Sequence, residues 1–358
     1  MAKFGLNIGD VVYKYQLQEL IGSGHFGEVW RANDNALDRE FAIKLLDASG
    51  TSIDTELMEA RIGNRMQHHN LVQVHIADIV QIKGVDTVVI AMNYLRNGSI
   101  ISKICAGNFV PQQLAVKTMI DTLRGLEFLH DNGFYHNDIK PQNILIGDNQ
   151  EGILTDYGIS GATVNGQAIT PKDQYRPHKA PETFENGLID GKTEVYQAGI
   201  TLFRLVNGLG LATECFNNNS SAEYEKLVKE GKLLDKMGWQ LFVPNSLKKI
   251  IRKATNSDKK KRYSSVLEMR RALEKLKLPN SWTCNSAGKY LCENATHIYE
   301  FEIIFKPNGL VDFVAYKTIR KSGRKQKFGK FTEKNAQRIQ ITKLQRHFMT
   351  SITEGKCK

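Results

Sequence analysis

The stretch from Tyr135 to Gly158, YHNDIKPQNILIGDNQEGILTDYG, constrains this chain more than any other. Asp138 and Asp156 stand eighteen positions apart, with Lys140 and Asn143 between them. Two short apolar runs, Ile144-Leu145-Ile146 and Ile153-Leu154, lie either side of Gly147-Asp148-Asn149 and read as the strands of a hairpin. A hairpin brings its two flanking polar clusters to one end. Asp and Asn oxygens suit a hard divalent cation, a second Asp can accept a proton, and Lys can neutralise a phosphate. The stretch therefore holds the parts that phosphoryl transfer needs.

The rest of the chain is large enough to build a scaffold around it. Its 358 residues leave room for two or three domains, and 41% hydrophobic against 24% charged residues allow a sizeable core. No run of 18 apolar residues is present, so no membrane span is expected. The opening MAKFGLNIGD lacks the apolar core of a secretion signal, so a cytoplasmic location is expected. Cys105, Cys215, Cys284, Cys292 and Cys357 are odd in number and scattered, which predicts reduced thiols and no zinc site. The net charge of +11 is uneven. Residues 279–358 carry 15 Lys+Arg against 6 Asp+Glu, or +9, whereas 1–278 carry 34 against 32, or +2. That shift sets a boundary near Pro279 and a second unit with its own surface chemistry.

Upstream, residues 12–20 alternate like a strand, and Gly22, Gly24 and Gly27 follow at G-x-G-x-x-G spacing. The same spacing opens dinucleotide folds, where a helix follows. Here Glu28–Ala32 continues as a strand, and no acidic ribose partner closes a βαβ unit. A strand–glycine turn–strand flap can fold backbone N–H groups over phosphates. Phe41–Leu45 is a third strand with one lysine, Lys44, in an apolar run; burial requires a partner for it. Residues 54–68 have a helical pattern capped by Asp54, and Glu56 or Glu59 can supply that partner. HNLVQVHIADIV and TVVIAMNYL add two strands, predicting a five-stranded antiparallel sheet with one helix. Asn97-Gly98 is a turn and hinge. Beyond it helices are predicted at 111–131, 194–208, 223–235, 244–256 and 264–277.

These residues resemble the protein-kinase family, closest to its serine/threonine branch and the bacterial members that share the eukaryotic fold. Six signals occur in the family's order over roughly 10–277: the glycine loop, Ala42-Ile43-Lys44, the helix glutamate, His136–Asn143, Asp156-Tyr157-Gly158 and Ala180-Pro181-Glu182. The resemblance implies an α+β, bilobal kinase fold. A short lead (1–9) would precede a sheet-rich N-lobe (10–96) and a mainly helical C-lobe (97–278). A small basic α+β unit (281–358) of no recognised type would follow. It implies ATP and Mg²⁺ as cofactors, with Mn²⁺ as a substitute, and protein substrates. Gly22, Gly24 and Gly27 would cover the ATP phosphates, flanked by Ile21 and Ser23, and Val29 and Ala42 would sandwich adenine. Met92 would be the gatekeeper, Asn93 to Leu95 the hinge, and Leu145 would complete the ATP-binding set. Lys44 would hold the α- and β-phosphates and pair with Glu59, Asp138 would take the acceptor proton, and Lys140 would steady the γ-phosphate. Asn143 and Asp156 would bind the metal. Lys140, two residues after Asp138, implies Ser/Thr acceptors, and Glu182 would pair with Arg262.

The chain departs from the family pattern in places. Asn137 replaces the Arg that usually precedes the catalytic Asp, which implies activity independent of activation-loop phosphorylation. Tyr157 stands for Phe, and Glu194 for the Asp that braces the catalytic loop. Gly63 leaves a gap in the helix, so that its placement needs outside help. The Thr usually found before Ala180-Pro181-Glu182 is missing. Ser160, Thr163, Thr170 and Tyr175 are candidate autophosphorylation sites. His136 is expected to be structural, His25 a solvated loop tip, and Lys259–Arg262 a helix junction. An ATP-binding pseudokinase scaffold and a small-molecule phosphotransferase of the aminoglycoside type are the alternatives.

In the tail, 297–319 predict two strands around the turn Lys306–Gly309, followed by a basic turn at 320–327, a strand-like KFGKFTE and a helix over 333–353. Ile339, Leu344, Phe348 and Ile352 are expected on one face of that helix. Phe328 and Phe331 between lysines fit nucleic acid, and an acidic protein or anionic membrane would also suit the charge. The plainer expectation is a module packed on the C-lobe, or recruiting substrate, with its lysines solvated.

Overall fold

The computed structural model describes residues 4–24, 27–47, 57, 60–61, 63–156, 161–162, 167–170 and 175–356. The N-terminal lobe is an antiparallel sheet of β1 (Val11–Val12), β2 (Tyr15–Gly24), β3 (Gly27–Asp34), β4 (Arg39–Asp47), β5 (Val74–Ile82) and β6 (Val85–Asn93). Their order is β1-β2-β3-β4-β6-β5. One helix, α1, is described at residues 57, 60–61 and 63–65. Six strands form where the sequence predicts five. The alternation read as starting at residue 12 hides a tight turn, in which Tyr13 takes φ +57° and folds β1 back on β2. Non-glycine residues rarely adopt that conformation, so the pattern gave no signal for it.

The C-terminal lobe contains α2 (Gln112–Asp131), β7 (Phe134–Tyr135), β8 (Ile144–Ile146), β9 (Gly152–Leu154), β10 (Gly161–Ala162), α3 (Thr183–Asn186) and α4 (Gly191–Asn207). It continues with α5 (Leu211–Asn217), α6 (Ser221–Lys229), α7 (Leu233–Met237), α8 (Asn245–Ala254) and α9 (Val266–Glu274). Helix α4 is the axis of this lobe: every residue from Thr193 to Asn207 is buried. Asp190 caps it by accepting from the Lys192 and Thr193 N–H groups, which removes two orphan donors at its start. The single helix predicted over 223–235 is instead α6 and α7, because Gly231 at φ +68° ends the first helix.

Glu182 and Arg262 lock the base of the lobe. The guanidinium donates from Nη1 at 2.8 Å and from Nη2 at 2.7 Å to the two carboxylate oxygens. Burial opposes ionisation of Glu182, but the Arg262 guanidinium overrides it and holds its carboxyl below the usual value of 4.5. A depressed native pKa gives stability that is complete above about pH 4.5 and is lost as the pH falls through the native value. Acid unfolding should therefore include a step from this pair, and Glu182→Gln should flatten that part of the stability–pH curve. Urea titrations between pH 3 and 6 test this; an unchanged slope in the variant would count against the pair.

The tail folds as a sheet of β11 (Trp282–Cys284), β12 (Tyr290–Glu293), β13 (His297–Phe305), β14 (Val311–Ile319), β15 (Lys325–Lys327) and β16 (Glu333–Ala336), with α10 (Arg338–Thr353). The predicted hairpin is β13–β14, in register from His297 opposite Ile319 to Phe305 opposite Val311. KFGKFTE does not run as one strand: it is broken by a 3₁₀ turn at Gly329–Phe331. The helix starts at Arg338 and not at 333, because Glu333–Ala336 pairs with β14 and the Gln337 N–H donates to Gln340 Oε1 at the helix start. Ile339 is 84% exposed, whereas Phe348 and Ile352 are fully buried, so the predicted apolar face omits its first member. Phe331 is also buried, with Phe328 edge-on against it at 5.0 Å. Phe331 belongs to the core, and Phe328 packs half-buried against it.

The tail packs on the C-lobe through one continuous apolar core. Tyr290 stacks on Phe109 at 6.3 Å and lies 6.1 Å from Phe242. The Trp282 backbone N–H donates to Gln112 Oε1, and the Ala106 N–H donates to the Cys284 carbonyl. Among the described residues, no helix is long and apolar enough to cross a membrane, and no disulfide joins the cysteines.

Candidate active site

The hairpin read from the sequence forms as β8 and β9, with Ile144 opposite Leu154 and Ile146 opposite Gly152. Backbone bonds pin it to both lobes: the Ile146 N–H donates to Gly98 O, and the Leu154 N–H donates to Asn70 O. The Thr155 N–H donates to Asn143 O, closing the end where the polar residues meet. Asp138, Lys140, Asn143 and Asp156 are thereby brought beside Lys44 of β4.

Lys44 is 7% exposed, and its Nζ donates to Asp156 Oδ1 at 2.7 Å. Burial opposes ionisation of Asp156, but the Lys44 ammonium overrides it and holds the carboxyl below its ordinary range. The buried lysine is thus answered across the cleft, as its desolvation requires. Glu59, the partner expected on α1, lies outside the described residues, as do Tyr157, Gly158, His25, Ser160 and Thr163. Gly63 is helical and buried.

Asp138 is 2% exposed and asymmetric in its bonding. Its Oδ2 accepts from Lys140 Nζ at 2.5 Å and from Asn143 Nδ2 at 2.8 Å. Its Oδ1 is buried and accepts no hydrogen bond among the described residues. A buried carboxylate oxygen left unsatisfied is costly unless a ligand group fills the place. A hydroxyl donor supplied by a substrate would fill it.

The loop that carries Asp138 is held from below, by residues the motif spacing does not announce. Asn137 is 1% exposed and sits at φ +66°, a conformation asparagine tolerates better than arginine. Its backbone N–H donates to Glu194 Oε1, and its Oδ1 accepts from Gln197 Nε2 at 3.4 Å. The other oxygen of Glu194 pairs with His130 Nε2. Glu194 therefore braces the loop as expected, with its longer side chain spanning to a histidine as well. Thr201 Oγ1 and His178 Nδ1 both donate to Ile139 O at 2.8 Å. His136 is fully buried, and its Nε2 bonds the Thr155 carbonyl, which is a structural role.

On the N-lobe side, the registers place Val29 opposite Lys44 and Ala42 opposite Met92. Gly22 pairs with Val29, and Gly24 with Gly27, at the tip of the flap. Only Gly27 is fixed by sterics: at φ +142° an added Cβ would lie 1.9 Å from Leu45 O. Ile21 and Ser23 are exposed on the flap, and Leu145 is half-buried on β8. The Asn93 side chain turns away to accept from Arg39 Nη2 at 2.9 Å and to bond His75 Nε2 at 2.6 Å, so any contact it makes with adenine is through its backbone. Leu95 follows it in the hinge. A cavity of about 440 Å³ lies between the 67–73 segment and the hinge, and none of Lys44, Asp138, Asn143 or Asp156 lines it.

Comparison with known proteins agrees with this arrangement. The model of the protein kinase domain matches residues 15–275. The chain is 29% identical over 264 residues to the serine/threonine-protein kinase PrkC of Bacillus subtilis, covering 72% of this chain and 39% of that protein. It is 25% identical over 202 residues to the serine/threonine-protein kinase PknB of Mycobacterium leprae, covering 54% and 32%. With the serine/threonine-protein kinase ATG1a of Arabidopsis thaliana it is 30% identical over 207 residues, covering 55% and 32%. The chain spans about two fifths or less of the length of these relatives. The chain belongs to the protein kinase family, and its catalytic lobes are those of that family.

Proposed function

We propose that this chain is an ATP-dependent protein kinase that transfers the γ-phosphate to Ser or Thr hydroxyls of proteins, its own included. The observation that carries the reading is Asp138: one oxygen is tied to Lys140 and Asn143, and the other is buried and accepts no hydrogen bond among the described residues. An acceptor hydroxyl donating to Oδ1 would be aligned and would lose its proton there. Lys140, bound to the same carboxylate, would meet the transferred phosphate, and Lys44 the phosphates beneath the glycine flap.

Two residues fit a magnesium ion. Asn143 commits its Nδ2 to Asp138, which leaves its amide oxygen as a ligand. Asp156 gives Oδ1 to Lys44 and retains Oδ2. Two protein oxygens with phosphate oxygens are the usual donor set for Mg²⁺. When bound, the ion neutralises charge on the phosphates. The names of the relatives support the Ser/Thr assignment. The pseudokinase alternative is disfavoured by the complete set of Lys44, Asp138, Asn143 and Asp156. The small-molecule alternative is disfavoured by the Glu182–Arg262 lock and the match to the protein kinase domain.

The test is incubation of the full chain with γ-labelled ATP, Mg²⁺ and an unstructured Ser/Thr-rich protein. Label in phosphoserine or phosphothreonine is expected. Label confined to phosphotyrosine would overturn the acceptor assignment, and no transfer by an ATP-binding chain would favour the scaffold.

A further inference from the structure

The segment Tyr175–Lys179 lies against the catalytic loop. His178 Nδ1–H donates to Ile139 O, and Tyr224 OH donates to Pro177 O, both at 2.8 Å. Lys140 Nζ sits 5.1 Å from the centre of the Tyr175 ring. Lys140 also bonds Asp138, so this segment borders the position of an acceptor hydroxyl.

The charge on this platform has one sign. Arg176 is exposed and makes no ion pair among the described residues. Lys179 is half-buried, with its Nζ 4.6 Å from the Phe184 ring centre. Behind Tyr175, Arg204 is 2% exposed and its guanidinium lies 5.8 Å from the ring centre. Arg204 Nε donates to Leu209 O at 3.0 Å and Nη1 donates to His178 Nε2 at 2.8 Å. No carboxylate answers it among the described residues. Arginine can only donate, so His178 Nε2 accepts and the proton resides on Nδ1. Burial, reinforced by Arg204, drives the His178 imidazole well below its usual pKa and keeps it neutral.

Two acids on adjoining elements are committed elsewhere. Glu182 is held by Arg262, and Asp190 caps α4 and pairs with Lys259 at 2.6 Å. The Glu214 carboxylate lies over Gly210, and Glu214 and Glu185 of α3 are exposed without an ion pair among the described residues. A buried, unanswered guanidinium is screened little by salt and projects its field through the ring that covers it.

We propose that the Tyr175–Lys179 platform selects acceptor peptides with acidic side chains beside the phosphorylated Ser or Thr, with Arg176 as the residue that reads them. This rests on the protein-kinase reading and deepens it. A flanking carboxylate gains an exposed ion pair with Arg176, and a flanking lysine meets like charge, so each contributes a modest factor.

The experiment uses the full chain, Mg²⁺-ATP and three peptide sets that share Ser and Thr acceptors in a neutral frame. The acceptors are flanked by Glu, Gln or Lys. The Glu set is expected to exceed the Lys set by about five- to tenfold in kcat/KM, with the Gln set between. Arg176→Glu should reverse the order, and Arg176→Gln should bring the sets within about twofold. A thermal melt confirms that the exposed substitution leaves the fold intact. Equal turnover of the three sets, or a lead for the Lys set, overturns the selection and leaves phosphoryl transfer standing. A Glu preference that survives Arg176→Glu overturns the assignment to Arg176. No turnover of any set by a chain that still binds ATP overturns both readings.

Discussion

Replacing Asp138 with Asn is expected to lower kcat by about 10²- to 10⁴-fold while ATP still binds. The amide has nearly the shape of the carboxylate, so contacts with Lys140 and Asn143 change in charge more than in position. What is lost is the carboxylate Oδ1, which is buried and accepts no hydrogen bond among the described residues, as the acceptor for the substrate hydroxyl. An amide offers no comparable base, and a loss of that size corresponds to about 3–5 kcal/mol of barrier. Single-turnover transfer from γ-labelled ATP measures it, with nucleotide binding followed separately. A variant that transfers at the parent rate would remove Asp138 from this role. A variant that no longer binds ATP would instead mean that the substitution had disturbed the Lys44–Asp156 side of the cleft.

Removing residues 279–358 is expected to abolish cooperative folding of what remains. Phe109 and Phe242 are 0% and 1% exposed, and both lie against Tyr290 of the tail. Truncation would bare these rings and leave Gln112 Oε1 and the Ala106 N–H without the partners they have in Trp282 and Cys284. Large exposed apolar patches on a monomer favour aggregation. A gentler version is Trp282→Ala. That side chain is fully buried, its Nε1 donates to Met349 O at 3.0 Å, and its ring packs edge-on against Phe348 at 5.7 Å. Loss of a buried tryptophan costs about 3–5 kcal/mol. Thermal and urea melts of the 1–278 chain, the tryptophan variant and the full chain decide the matter. A truncated chain that melts cooperatively at the parent temperature would show the tail to be a dispensable appendage.

How much of the site was legible in the sequence depended on how far apart its parts lie along the chain. Lys140, Asn143 and Asp156 are near Asp138 in sequence, and a hairpin is a local structure, so period-2 runs and a turn sufficed to bring them together. The pairing of Lys44 with Asp156 spans 112 residues. It was not legible: a lone lysine in an apolar strand demanded a partner, but the sequence pointed to Glu59 on α1, which lies outside the described residues. The supports of the loop were not legible. His130, Gln197, Thr201 and His178 come from α2, α4 and the segment before α3, and nothing in their local spacing marks them. Asn137 read as a missing arginine; its own role follows from a backbone φ of +66° and a place above Glu194.

Two of the misread elements share one cause. The strand over 12–20 and the helix over 223–235 each ran an apolar pattern through a turn. The turns sit at Tyr13 and Gly231, both with positive φ. Hydrophobic periodicity registers burial, and a residue in the left-handed region breaks the chain direction without altering that pattern.

The sequence by itself determined the N-terminal sheet, the helices that follow it, the glycine flap and the hairpin with its carboxylates, because each follows from local propensity or from residue chemistry that permits few alternatives. Only the tertiary structure decided that the basic tail shares the core of the C-lobe, that Phe331 is buried, and that Arg204 lies behind Tyr175 with no carboxylate partner among the described residues. Those outcomes depend on which surfaces meet across long separations, and a charge or a ring carries no record in the sequence of what it will face.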